Sequence, residues 1–106
     1  MRVNTARRDA RLATRLDVRI PAHVRQRGST HRFLIDIVDL SATGFRCRTA
    51  FTLHVGDRLA MFMPSFAPLD AVVQWSHDFC YGCAFDQSLH VAVFDHIVAR
   101  YAPPAD

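Results

Sequence analysis

Short segments with alternating apolar and polar residues follow one another through most of the chain. Between Leu16 and Val24 every second residue is apolar, which is the pattern of a strand with one buried face. Pro21 lies inside this segment and indicates an edge position or a bulge, because proline has no N–H to donate. Turn residues separate it from five similar segments. These lie within residues 32–40, 44–49, 55–63, 69–76 and 81–86. The pattern therefore predicts six short strands.

The period changes near the end of the chain. Four apolar or aromatic residues recur there at the i, i+3, i+4, i+7 spacing of a helix with one apolar face. They are Phe94, Ile97, Val98 and Tyr101. Ser88 is a candidate for the residue that caps the helix. We therefore predict a mainly β fold, a six-stranded antiparallel β-barrel with a C-terminal α-helix at about 88–101 that covers an opening.

The length and composition fit one domain. The chain has 106 residues, half of them hydrophobic, and no apolar run approaches the roughly 18 residues of a membrane span. We interpret residues 1–14 as a flexible arginine-rich arm, residues 15–102 as the barrel with its helix, and residues 103–106 as a tail. Three cysteines in a chain without a secretory signal fit a reducing cytoplasm, where we expect the protein to act.

Charge is distributed unevenly along the chain. Up to Arg32 there are nine arginines and two aspartates, whereas the rest has four arginines and eight aspartates. Lysine and glutamate are absent, so every cation is a planar guanidinium that can make paired hydrogen bonds to phosphate or guanine. The basic first third favours an anionic partner. A solvated arm explains the same charge equally well.

The stretch Asp39-Leu40-Ser41-Ala42-Thr43-Gly44 has two interpretations. It can be a tight hairpin turn, with Gly44 at a positive φ that glycine adopts freely. Alternatively, strand alternation places Asp39 and Ser41 on one solvent-facing side at the end of a strand. A carboxylate there can accept hydrogen bonds from a guanine edge, and a hydroxyl can donate to an anion.

Arginines of the amino-terminal segment provide a second candidate feature. Arg7 and Arg11 are four residues apart, so in a flexible arm both guanidiniums can converge on guanine O6 and N7 or on phosphate. A solvated basic tail is the alternative. Arg11 and Arg15 form a competing pair with the same spacing. We prefer Arg7 and Arg11 because Arg15 abuts the first strand.

Arg-x-x-x-Arg followed about thirty residues later by Asp-x-Ser-x-x-Gly resembles the motif pair of the PilZ domain. The stretches "LHVGDRLAMFMP" and "AVVQWSHDFCYGCAF" and the terminal helix resemble the same family, so the likeness runs from Arg7 to Tyr101. This resemblance implies a PilZ-like split barrel that acts as a receptor for cyclic di-GMP. This bacterial second messenger has two guanines and two phosphates.

The resemblance also implies a ligand site without catalysis or a cofactor. The first and last arginines of the arm would bind guanine and phosphate, and a third would add a phosphate contact. The Asp and Ser of the turn would bind a guanine edge, while its glycine would permit the turn and a close approach of the ligand. The expected ligand-binding residues are Arg7, Arg8, Arg11, Asp39, Ser41 and Gly44. Binding would order the arm, and an effector protein, not identified by the sequence, would recognise the changed surface.

Two other functions are compatible with the sequence. A small barrel with a basic arm can bind single-stranded nucleic acid, but such barrels usually expose aromatic residues between arginines. Here the aromatics fall mostly in core register, which makes a nucleic-acid partner the weaker interpretation. The other is a PilZ-like adaptor that does not bind the nucleotide. Arg46 and Arg48 either extend a basic wall beside the site or form a solvated strand face.

The remaining conspicuous residues favour structural roles. His77, Cys80 and Cys83 have metal-like spacing, but positions 80 and 83 of a strand point to opposite faces, so we expect no metal. Trp75 and Phe85 are interpreted as core or rim packing in preference to a base-stacking platform.

Overall fold

The computed structural model of the chain describes residues 15–101. This part of the chain contains six strands and a helix that ends the described region. Their bounds are β1 Leu16–Gln26, β2 Arg32–Leu40, β3 Gly44–Arg48, β4 Arg58–Phe62, β5 Leu69–His77, β6 Cys80–Phe85 and α1 Val91–Tyr101. All predicted elements are present in the predicted order, and the predicted fold class is confirmed.

The strands form one closed antiparallel barrel. Their order around it is β1-β2-β3-β6-β5-β4, and β1 closes the sheet by pairing with both β2 and β4. Closure removes the open edges at which a sheet could pair with another chain. Pro21 pairs with Asp36 of β2, while the pairing of β1 with β4 begins only at His23. At Pro21, therefore, β2 is the only described neighbour of β1. Such a local edge position suits proline, which has no N–H to donate to a second strand.

The alternating apolar residues of the strands fill the barrel. In β1 the apolar members of the alternation from Val18 to Val24 are nearly inaccessible, and they meet equally buried residues of the other strands. Examples around the barrel are Ile20, Ile37, Phe45, Met61 and Val73. Within residues 15–101, the buried polar residues are Asp39, Ser41 and Thr49. Since a buried polar group needs a hydrogen-bond partner, these three residues indicate positions where specific hydrogen bonds act in addition to apolar packing.

The helix α1 lies at the barrel end that holds the β2–β3 turn. The N–H of Leu89 donates to the carbonyl of Ala42 at 2.7 Å, and the Leu89 side chain is buried. This anchors the segment just before the helix. The helix consequently starts later than predicted, and His90 is its cap, because His90 Nδ1 accepts from the N–H of Ala92 at 3.0 Å. The prediction of Ser88 as the cap is wrong.

The predicted apolar stripe of α1 faces the barrel. Phe94 and Ile97 are buried, and Val98 and Tyr101 pack partly against the core. No helix within residues 15–101 has the length and apolar character that a bilayer crossing requires.

Candidate functional site

The turn between β2 and β3 is built around the Ser41 hydroxyl. Its oxygen accepts hydrogen bonds from the N–H groups of Thr43 and Gly44, both at 3.2 Å. It also lies 3.3 Å from the Gly44 carbonyl and 3.1 Å from Thr43 Oγ1, to either of which it can donate. A hydroxyl has one donor and two acceptor positions, so these partners use its full capacity. The expectation that Ser41 faces solvent is wrong, because the side chain is buried and shapes the turn.

Gly44 is required for a close approach between two strands. Among residues 15–101 the glycines with positive φ are Gly28 and Gly56, so the predicted positive φ of Gly44 is wrong. A Cβ atom at Gly44 would instead overlap the carbonyl oxygen of Cys83 in β6. The glycine therefore lets the β3 backbone lie against β6, and the close approach it permits in this structure is that of the protein's own backbone.

Asp39 lies between two arginines. Its Oδ1 accepts a hydrogen bond from Arg15 Nη1, and its Oδ2 forms an ion pair with Arg46 Nη2, each at 2.9 Å. The two guanidiniums cover the carboxylate, whose side chain is only 7% exposed, so the expectation that Asp39 faces solvent is also wrong. Both arginines remain about half exposed. The carboxylate thus fixes one cation from the start of β1 and one from β3 at the surface.

This arrangement leaves hydrogen-bonding capacity directed outward. A guanidinium has five N–H donors; Arg15 gives one of them to Asp39, and Arg46 directs one nitrogen at the same carboxylate in an ion pair. The remaining donors of Arg15 and Arg46 can bind an anion, and the buried carboxylate keeps both groups in place for it. Asp39 itself can accept from a guanine edge through its remaining lone pairs or after one arginine moves aside.

Trp75 lies on the outer surface beside these charges. Asp39, Arg46, Gly82 and Trp75 are successive pairing partners across β2, β3, β6 and β5, so they form one row. A Cβ atom at Gly82 would overlap the indole ring, so the glycine provides the space in which the ring lies over β6. Trp75 is 42% exposed, so a core position is wrong, whereas its packing against Gly82 at the surface fits the rim interpretation. Phe85, by contrast, is buried as expected.

A β-bulge explains why the sequence pattern misplaced Trp75. The register of β5 against β6 shifts between Val73 and Trp75. Strict alternation would put Val73 and Trp75 on the same inner face, but the extra residue, Gln74, moves Trp75 to the outside. The nearby Gly82 is the one sequence signal that could have indicated an approaching ring.

An open groove of about 670 Å³ runs along this outer face. Its lining includes Arg46, Arg48, Trp75 and His77. Aromatic faces stack on nucleobases, and guanidiniums bind phosphates and stack on rings. The groove therefore offers the chemistry that a purine nucleotide requires, next to the carboxylate–arginine cluster of Asp39.

Other residues singled out by the sequence have different outcomes. Arg7, Arg8 and Arg11 lie outside the described residues, so their assignment stays a prediction. Arg15 is the second member of the competing pair, and the structure places it in contact with Asp39. No group of three or more His, Cys, Asp or Glu side chains within residues 15–101 is arranged to hold a metal ion.

Two of the cysteines meet inside the barrel. A hydrogen bond with Cys83, and then burial, raise the pKa of the Cys47 thiol far above its ordinary value. The Cys47 thiol therefore stays protonated and is a packing group, since the thiolate is the reactive form.

Comparison with known proteins identifies the family. The family model of the PilZ domain matches residues 6–102. The chain belongs to the PilZ family. PilZ domains form a family of cyclic di-GMP receptors, some members of which do not bind the nucleotide.

Solved structures support the fold of this PilZ domain. The PilZ domain of CeSA from a cellulose-synthesizing bacterium is similar to it, with a TM-score of 0.60 and 14% sequence identity. The similarity covers 82% of this chain and 94% of the other. No curated protein matches the chain significantly.

Proposed function

We propose that this PilZ domain binds cyclic di-GMP on the outer face where Asp39 and the groove meet. The observation that carries the proposal is the pair of half-exposed arginines, Arg15 and Arg46, that the buried Asp39 carboxylate holds at 2.9 Å. A buried acid that presents two cations to solvent is suited to an anionic ligand. The family of the chain supplies the identity of that anion.

The chemistry of the ligand matches the groups on this face. Arginine binds guanine O6 and N7 through two hydrogen bonds, and it binds phosphate oxygens in the same paired manner. The Trp75 ring can stack on one guanine, because base stacking on an exposed aromatic needs only a free ring face. In this proposal Ser41 and Gly44 act by shaping the turn that sets the position of Asp39.

The amino-terminal arginines complete the proposed site. Arg7, Arg8 and Arg11 would bind the same ligand from the segment that precedes β1. The position of Arg15 at Asp39 supports the competing Arg11 and Arg15 pair as well. A charge-assisted hydrogen bond contributes roughly 1.5–3 kcal/mol net. Several such bonds offset the cost of about 1–2 kcal/mol for fixing each backbone residue. The ligand would thereby join residues 1–14 to the barrel and create a surface that a partner recognises.

Titration calorimetry with cyclic di-GMP tests the proposal. We expect wild-type binding in the micromolar range or tighter, and Asp39→Ala should weaken it about tenfold or more, which is 1.4 kcal/mol. Arg100→Ala removes a cation from the end of α1 and is the matched control that should bind like wild type. Absence of wild-type binding under conditions where the protein is folded would contradict the proposal and favour the adaptor role.

The same assay separates the two arginine pairs. A tenfold loss in Arg7→Ala that exceeds the loss in Arg15→Ala supports the preferred Arg7 and Arg11 pair. The reverse pattern assigns the motif to Arg11 and Arg15.

The exposed Trp75 beside Arg46 also favours a second candidate, binding of single-stranded nucleic acid. Titration with a polypyrimidine oligonucleotide at several salt concentrations distinguishes it. Contacts to phosphates give an affinity that falls steeply with salt. Steep salt dependence with the oligonucleotide, together with no response to cyclic di-GMP, would establish this candidate and exclude the first.

A further inference from the structure

Three large apolar side chains are exposed around one buried threonine. Leu34, Phe51 and Phe79 are 61%, 53% and 57% exposed, respectively. Thr49 Oγ1 donates to the Leu34 carbonyl at 3.0 Å and accepts from the Phe51 N–H at 3.2 Å. The Thr49 N–H donates to the Phe79 carbonyl at 3.2 Å. We call Leu34, Phe51 and Phe79 the apolar triad. The backbone groups of all three residues meet at this single hub, which keeps the three residues close together, and the Phe51 ring packs on Phe33 with 4.6 Å between ring centroids.

Phe79 occupies a backbone conformation that disfavours it. Asp78 and Phe79 form the two-residue turn between β5 and β6, with φ of 49° and 61°. Asn and Gly are the usual residues of such a turn, and a bulky residue with positive φ is an outlier. Strain of this kind concentrates at functional sites. Folding gains little from an exposed ring at this position, which points to a role in recognition.

A pair of arginines on the neighbouring strands lacks acidic partners. Arg25 and Arg32 are direct pairing partners across β1 and β2, and like charges opposite one another destabilise a sheet. Both guanidiniums lie against the Phe62 ring, at 5.7 and 3.9 Å from its centre. Neither arginine makes an ion pair within residues 15–101. The sequence contains no acid between Asp17 and Asp36, so the turn end of this hairpin carries only positive charges.

Leu34 connects the triad to the arginine pair. Leu34, His23 and Phe62 are successive pairing partners across β2, β1 and β4. Leu34 is thus at one end of a row of residues, and Phe62, which contacts both guanidiniums, is at the other end. We call the apolar triad together with Arg25 and Arg32 the docking face. Leu34 lies at the opposite end of β2 from the Asp39 turn, whereas Phe79 lines the same groove as Trp75.

We propose that the docking face binds an amphipathic acidic segment of a partner protein. Apolar side chains of the segment pack on the triad, and its carboxylates pair with Arg25 and Arg32. Exposed aromatic residues and arginines are the side chains most enriched at the centres of protein interfaces. Charge complementarity favours an acidic partner, since neither arginine forms an ion pair within residues 15–101.

Two other occupants fit the surface less well. Asp36 and Asp78 line the same groove as Phe79 of the triad, and these acids would be repelled by an anionic membrane. A partner protein can place its own charges to avoid them. A two-fold dimer would bring the arginine pairs of both copies into one interface, where they repel each other.

Selection from a displayed library of random peptides tests the proposal with the full chain. Peptides of about 15 residues, roughly four helical turns, are long enough to cover the face. We expect the selected peptides to combine acidic with aromatic or aliphatic residues at helical spacing. Their affinity should fall about tenfold or more in Leu34→Ser and in Arg32→Ala. Val93→Ser, which changes an exposed apolar residue of α1, is the matched control and should bind normally.

Phe79→Asn separates recognition from folding. Asparagine tolerates positive φ, so the variant should melt at the same temperature as wild type or higher while it loses peptide binding about tenfold or more. Selected peptides without acidic residues, or peptides insensitive to these substitutions, would overturn the proposal. The wild-type chain can also be tested for dimerisation and for sedimentation with phosphatidylserine vesicles. If either occurs and Phe79→Asn abolishes it, the face binds one of the other occupants, and the proposal is overturned.

Discussion

Replacing Gly44 by alanine should strongly destabilise the barrel, although the residue does not need a positive φ. The added Cβ would lie within 3.0 Å of the Cys83 carbonyl oxygen, a separation that real Cβ atoms essentially never show. Two further backbone atoms, the Cα of Ala84 and the carbonyl carbon of Cys83, lie at 3.2 Å from it. These atoms belong to the β6 backbone, so no side-chain rotation relieves the overlap. The strands β3 and β6 must separate.

The size of the effect follows from what that separation breaks. The pairs Gly44–Ala84 and Phe45–Cys83 hold this part of the sheet together. Loss of about two backbone hydrogen bonds costs roughly 1–3 kcal/mol. Overpacking of a closed interior costs about 1–3 kcal/mol more. We expect a loss of about 3 kcal/mol in the free energy of unfolding, which lowers the melting temperature by roughly 12–24 °C in a domain of this size.

Gly82→Ala is the matched control, and urea unfolding followed by circular dichroism is the assay. Its added Cβ overlaps the Trp75 side chain, which can rotate away into solvent. We therefore expect a loss of about 0.5 kcal/mol or less and a change in the fluorescence of the single tryptophan. A Gly44→Ala loss as small as that of Gly82→Ala would refute the steric argument.

Two more predictions concern the interior. Tyr81→Phe should lower the free energy of unfolding by about 1–3 kcal/mol in a urea titration, because the hydroxyl accepts from Leu53 N–H and donates to Phe51 carbonyl, each at 3.1 Å; an unchanged midpoint would contradict it. The raised pKa of Cys47 beside Cys83 stabilises the fold at pH values below about 8.5, and this contribution declines above that pH, where the unfolded thiol ionises first. Cys47→Ala should make this alkaline decline shallower by up to about 1.4 kcal/mol per pH unit, and equal slopes would exclude the effect.

The strands and the helix were predictable because their patterns are local. Alternation in β1 and the stripe of α1 report directly which side chains the core buries. The start of the helix was not predictable from Ser88. The Leu89 N–H donates a hydrogen bond to the Ala42 carbonyl, and this tertiary contact holds the segment outside the helix, which begins after it.

The candidate site was predictable in its composition and less so in its geometry. The pattern of Asp39, Ser41 and Gly44 indicated a special turn, but alternation placed the first two in solvent. Their burial depends on partners far away in sequence or on turn geometry: Arg46 and Arg15 cover Asp39, and backbone groups surround Ser41. Such partners become visible only when strand register is known.

Trp75 shows the same limit. One extra residue in β5 moves its ring from the expected interior to the groove. Periodicity cannot detect a bulge, because a single inserted residue inverts the faces of all that follow.

The central claim is tested most directly by following the indole N–H resonance of Trp75 while cyclic di-GMP is added to isotope-labelled protein. The chain has a single tryptophan, so the signal needs no assignment. We predict that it shifts and saturates together with the amide of Gly44. Cyclic di-AMP, which lacks the guanine edge, should produce much smaller shifts, as should cyclic di-GMP added to Asp39→Ala. Indole and Gly44 signals that stay in place at saturating cyclic di-GMP, or that respond equally to both dinucleotides, would contradict the account.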